Sequence, residues 1–159
     1  MKISIWSAAA LALAAIGPVA CGEAPVEQAA DPEAPDGIAV DHARLMLPAV
    51  PGNPAAVYFD IANKGEKDMM ILSVAVQGAG SAMMHQMNTA NGRTSMDEVL
   101  QIAVPAGETL SFEPGGLHVM AMDLADTVAA GGESEVTLTF AGGDKVSFPA
   151  EVRAAGDER

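Results

Sequence analysis

The stretch AAVYFDIAN, Ala55 to Asn63, sets Val57, Phe59 and Ile61 two residues apart with other side chains between them. On an extended chain such residues share one face, so the alternation predicts a strand half-buried against a core. MMILSVAV, VLQIAV, TLSF, LHVMAM, EVTLTF and KVSFPAEV are also strand-length and rich in apolar or β-branched residues. Between them stand clusters of turn residues: PGNP, NKGEKD, GAGS, PAGE, PGG, AAGGES and AGGD. No long segment keeps a helical period, and there is no internal repeat. About seven to nine strands at this spacing predict an all-β domain, an antiparallel β-sandwich or barrel.

The ends read differently. Residues 1–20, MKISIWSAAALALAAIGPVA, begin with one lysine, continue as an apolar run and stop at a small residue, the layout of a secretory signal. The run is too short and wrongly flanked for a membrane span. Cys21, the single cysteine, follows at once, where a bacterial lipoprotein would carry the acylated residue, although Pro18 stands where leucine is usual. A lipidated Cys21 would anchor the protein to a membrane of the cell envelope. Residues 21–36 mix Pro, Ala and acids without a period and read as a disordered spacer. The folded domain is expected at 37–153, with 154–159 a short solvated tail. The chain of 159 residues then holds one domain with enough length for its own core.

Charge narrows the partners. Eight Lys and Arg against 21 Asp and Glu give a formal charge of −13, which repels nucleic acid and anionic lipid and favours cations or basic protein surfaces. With Cys21 outside the domain, no disulfide forms within it, and it has no thiolate for zinc, blue copper or nucleophilic chemistry.

Candidate chemistry lies in two short stretches. SAMMHQM places His85 two residues before Met87, and LHVMAM places His118 two residues before Met120. On a strand each pair shares a face with about 6 to 7 Å between its members, so each can chelate one ion. Imidazole with thioether is a soft donor set that suits Cu(I) and does not suit Ca, Mg or Mn. Zinc would normally recruit cysteine, histidine or carboxylate.

The spacing from His85 over ten residues to Met96, then over 21 to His118 and over one to Met120, resembles the H-x10-M-x21-H-x-M signature of the periplasmic PCu(A)C copper chaperones. PGGLHVM is similar to that family's turn into its second ligand pair, VYFDIAN to its early strand, and IAVPAGETLSFEPGG to the segment between the ligands. The resemblance runs from about Ile38 to Arg153. It implies a cupredoxin-like β-sandwich and one Cu(I) held by His85, Met96, His118 and Met120, with Met87 a neighbour or additional ligand. It also implies a periplasmic carrier, not an enzyme, that supplies the dinuclear copper centre of cytochrome c oxidase, receiving or passing copper alongside a thiol-bearing transfer protein. A monomer is expected.

Other readings remain open. An electron-transfer cupredoxin would need a cysteine thiolate that the domain lacks. A copper storage or resistance protein would share the donor set. A structural or adhesion β-sandwich would tolerate His85→Ala and Met120→Ala without losing any binding property. Met69, Met70, Met83 and Met84 read as packing residues, Met122 as core or rim, His42 as a solvated or hydrogen-bonded histidine, and Asp97 and Glu98 as solvated acids. The C-terminal FPAEVRAAGDER carries no His, Met or Cys, unlike family members whose tails hold Cu(II).

Overall fold

A computed structural model describes residues 34–157 of the chain. The expected signal segment, Cys21 and nearly all of the spacer lie outside the described residues. The described fold is all-β and contains ten strands: β1 Ile38–Met46, β2 Ala55–Asn63, β3 Met69–Val76, β4 Ser81–Ala90, β5 Arg93–Glu98, β6 Ile102–Val104, β7 Thr109–Phe112, β8 Leu117–Met122, β9 Glu133–Phe140 and β10 Lys145–Arg153.

The strands hydrogen-bond in the order β5-β4-β8-β7-β2-β1-β10-β9-β3-β6, with β8 also pairing β2. Most neighbours are antiparallel; β1 with β10 and β7 with β8 are parallel. The ends of this order come together, because β3 packs against β4 and β6 against β2. One half of the sheet therefore covers the other, in the cupredoxin-like arrangement.

Alternation builds the interior. Along β2 every odd-numbered residue from Ala55 to Asn63 is buried and every even one is half-buried. Val136, Leu138 and Phe140 of β9 and Val146, Phe148, Ala150 and Val152 of β10 enter the same core. Phe59 stacks on Phe112 at 4.2 Å between ring centroids and meets Phe148 at 5.1 Å, joining β2, β7 and β10. Burial of such side chains, about 1.5–3 kcal/mol each, is what holds the halves together.

Asn63 is a polar residue set into this core, 1% exposed. Its amide donates to the carbonyls of Lys67 and Val104 at 2.8 and 2.9 Å, and its oxygen accepts from the Gly65 N–H at 3.0 Å. With all of these made, burying the amide carries little penalty.

Ten strands exceed the expected number for two physical reasons. In β1 the register against β2 shifts between Asp41 and Arg44, and His42 takes a φ of 55°, so a bulge breaks the alternation. In β5 every residue is exposed, so no apolar face marks it as a strand.

Candidate metal centre

The site face is made by three neighbouring strands and two turns. β4 and β5 form a hairpin through Asn91-Gly92, whose φ values of 53° and 72° are those of a type I′ turn. That two-residue turn dictates the register: Met87 lies opposite Met96 and His85 opposite Glu98. Met96 is thus a diagonal neighbour of His85, close enough for a long side chain to reach across.

The second turn is Glu113-Pro114-Gly115-Gly116. β7 and β8 both run antiparallel to β2, from Phe59↔Phe112 to Val57↔Val119, so two steps along β2 are matched by seven along β7–β8. The five surplus residues loop out as a large bulge, made possible by Gly115 at φ +83°. The bulge moves β8 outward to pair with β4, setting His118 opposite His85 and Met120 opposite Met83. On β8 the core takes Val119 and Ala121, leaving His118 and Met120 to the other face.

Three rows result, each crossing the strands: Met83 with Met120, His85 with His118 and Glu98, and Met87 with Met96. The Val99 N–H donates to Met84 O and the Met87 N–H to Gly116 O. These bonds make Met87/Met96 a non-hydrogen-bonded pair, the closer kind, with Cα atoms about 4.5 Å apart. His85/His118 is a hydrogen-bonded pair at about 5.5 Å.

The histidines are unlike ordinary structural ones. Their ring centroids are 5.9 Å apart, near enough for one ion to take a nitrogen from each through bonds of about 2 Å. His118 is 5% exposed, and its Nδ1 lies 3.1 Å from the Gly116 carbonyl, to which it can only donate. Its Nε2 is therefore the basic nitrogen, the arrangement a metal-ligating imidazole takes. Gly116 O accepts from both Met87 N–H and His118 Nδ1–H, so one carbonyl ties β4 to the ring. In His85 both Nδ1 and Nε2 are buried without a hydrogen-bond partner. Leaving buried polar atoms unmatched costs about 1–3 kcal/mol. A soft cation would remove that cost.

Exposure is graded across the face. Met83, Met87 and Met120 are half-buried, whereas Met96, on the edge strand, is 47% exposed. Met84 alone of the β4 methionines enters the core. Among the described residues no three His, Cys, Asp or Glu side chains gather as a metal-holding group. Metal binding at the histidine pair therefore needs the thioethers, and the donor set is soft. Concavities of about 510 Å³ beside His42 and about 780 Å³ beside Asn63 are not lined by His85, Met96, His118 or Met120.

Residues 38–152 match the model of the family described as "Putative lipoprotein LpqE-like". The chain belongs to this LpqE-like family. One relative, "Putative lipoprotein Lxx21020" of Leifsonia xyli subsp. xyli (strain CTCB07), is 33% identical over 109 residues, 68% of this chain and 64% of the relative. The chain thus matches less than two thirds of that relative's length. Among solved structures, the copper-bound PCuAC domain from PmoF2 superposes with a TM-score of 0.61 at 23% identity, covering 74% of this chain and 93% of that one. The Cu(I)-bound DR1885 of Deinococcus radiodurans gives a TM-score of 0.61 at 24% identity, with 84% and 87% covered. At these identities the likeness establishes that the LpqE-like chain has the PCuAC fold.

Three features of the site lie beyond the sequence expectations. The Asn91-Gly92 turn was legible as an Asn-Gly hairpin signal inside the polar NTANGRT. Met83, assigned to packing, shares the histidine face by simple parity with His85. The double role of the Gly116 carbonyl depends on pairing between distant strands and had no local signal.

Proposed function

We propose that this LpqE-like protein is a Cu(I) carrier of the cell envelope, binding one ion through His85, His118, Met96 and Met120, with Met87 able to join. The observation that carries this reading is the half-buried His85 ring, whose two nitrogens are both buried without a partner and which is flanked on the same face by methionine rows. The fold shared with copper-bound PCuAC domains supports it.

The arrangement suits transport. Two imidazoles and two thioethers are neutral, so the bound ion keeps its positive charge, which the acidic chain offsets. Met96 on the exposed edge strand gives an acceptor's ligand a place to attack, while His118 stays fixed by Gly116. Protons compete for the imidazoles and not for the thioethers, so binding weakens on acidification through the histidines. Lipidation at Cys21 would hold the domain at the membrane on a spacer, in keeping with the lipoprotein description of the family. From there it would deliver copper to the copper-bearing subunit of cytochrome c oxidase or to a thiol-bearing transfer protein, acting as a carrier and not as a catalyst.

The test is an anaerobic competition titration of the domain with Cu(I) under reducing conditions, alongside the His118→Ala/Met120→Ala double variant. Tight one-to-one binding lost in the variant supports the reading; absent or unchanged binding removes it.

A further inference from the structure

We infer that Met83 is an additional thioether ligand of the same site, the inner replacement for Met96 when an acceptor displaces it. The inference rests on the Cu(I)-carrier reading and extends it to the path of release.

A packing role does not account for Met83. The core-facing methionine of β4 is Met84, at 4% exposure, and alternation turns Met83 to the opposite face. There it lies directly across from Met120 and two residues from His85, while Met120 is two residues from His118. The four Cα atoms form a rectangle of about 5.5 Å across the strands and about 6.7 Å along them. Side chains as long as methionine and histidine can converge over its centre. Met96 lies on the other side of β4, on β5, opposite Met87 and diagonal to His85.

The two thioethers differ in access. Met96 belongs to an edge strand in which every residue is exposed, and is itself 47% exposed; Met83 is half-buried on β4, across from Met120 of β8. An incoming ligand therefore meets Met96 first. In the step proposed here the Cu–S bond to Met96 breaks and one to Met83 forms. Copper remains Cu(I), and no proton or electron moves. The ion shifts from the hairpin side of the histidine pair toward Met120 and stays held until the acceptor has engaged.

The experiment compares wild type, Met83→Leu, Met96→Leu and the double variant Met83→Leu/Met96→Leu, all loaded with Cu(I). Leucine is close to methionine in volume, and circular dichroism with thermal melting checks that each variant folds. The readouts are affinity by chelator competition and the number of sulfur ligands by X-ray absorption. Each single variant is expected to lose about threefold or less, and the double about a hundredfold or more, well beyond the sum of the single effects in free energy. Met96→Leu should keep the wild-type sulfur count, and the double variant should have one fewer. A double variant indistinguishable from Met96→Leu overturns the role of Met83, and is also what replacement by Met87 would produce. Failure of the wild type to bind Cu(I) would instead bring down the carrier reading itself.

Discussion

Two histidine neighbourhoods on this molecule obey opposite rules. At the β1 bulge, His42 is 76% exposed and its Nδ1 pairs with Asp60 at 2.9 Å, beside Arg44, which lies over the Tyr58 ring at 5.1 Å. The Ser111 hydroxyl, and after it His42, hold the Asp60 carboxyl below its ordinary range against the opposing effect of burial. The charged groups there have partners, and water is at hand. On the β4–β8 face, both nitrogens of His85 are buried and neither has a partner. A structural histidine arrives with its hydrogen bonds made, whereas a ligand histidine keeps a nitrogen unmatched and passes the cost to folding.

The strongest way to break that contrast is His85→Leu. Copper affinity should fall by about a hundredfold or more, near 2.8 kcal/mol. The metal-free protein should at the same time melt no lower than wild type, and up to about 1 kcal/mol more stable, because the unmatched nitrogens are gone. Chelator competition and calorimetry on one preparation read both. A destabilised apo protein would mean that His85 is a packing residue.

Next in size is Gly115→Ala. A Cβ there meets nothing within 4 Å, so the effect comes from φ +83° alone, costing about 1–2 kcal/mol. Because this bulge aims His118, copper affinity should drop several-fold as well. Denaturant unfolding and titration together show whether site and bulge are coupled.

His42→Ala is the mirror of the first substitution: a loss of a few tenths of a kcal/mol for an exposed pair, and unchanged copper affinity. Smallest of all is the acid limb of Asp60→Asn. A carboxyl with lowered folded pKa contributes stability above its unfolded value, about 3.9, and loses it as pH falls through the folded value. The gap between wild type and Asp60→Asn, a few tenths of a kcal/mol at neutral pH after allowing for screening, should close below about pH 4. Melting curves across that range test it.

Much of this was legible along the chain, and what was not has a common cause. β2, β3, β7 and β8 follow the runs AAVYFDIAN, MMILSVAV, TLSF and LHVMAM end to end, because a half-buried strand writes its own period. β5 faces water throughout and writes none, although it carries Met96. The bulge at His42 interrupts the period of β1. The parallel pairings of β1 with β10 and of β7 with β8 join segments by register, which local alternation does not record. The same holds at the site. Two-residue spacing announced that His118 and Met120 share a face, but not that Met83 would be the residue across from Met120.

β8 serves two masters with its two sides. Val119 and Ala121 complete the core while His118 and Met120 face the other way. A slip of β8 by one residue against its neighbours would exchange the sides, turning the histidine inward and pushing Val119 out to water. Such a chain would fail to fold before it could fail to bind. Cellular proteolysis, which removes unfolded chains, would therefore also clear away copies with a misaligned site.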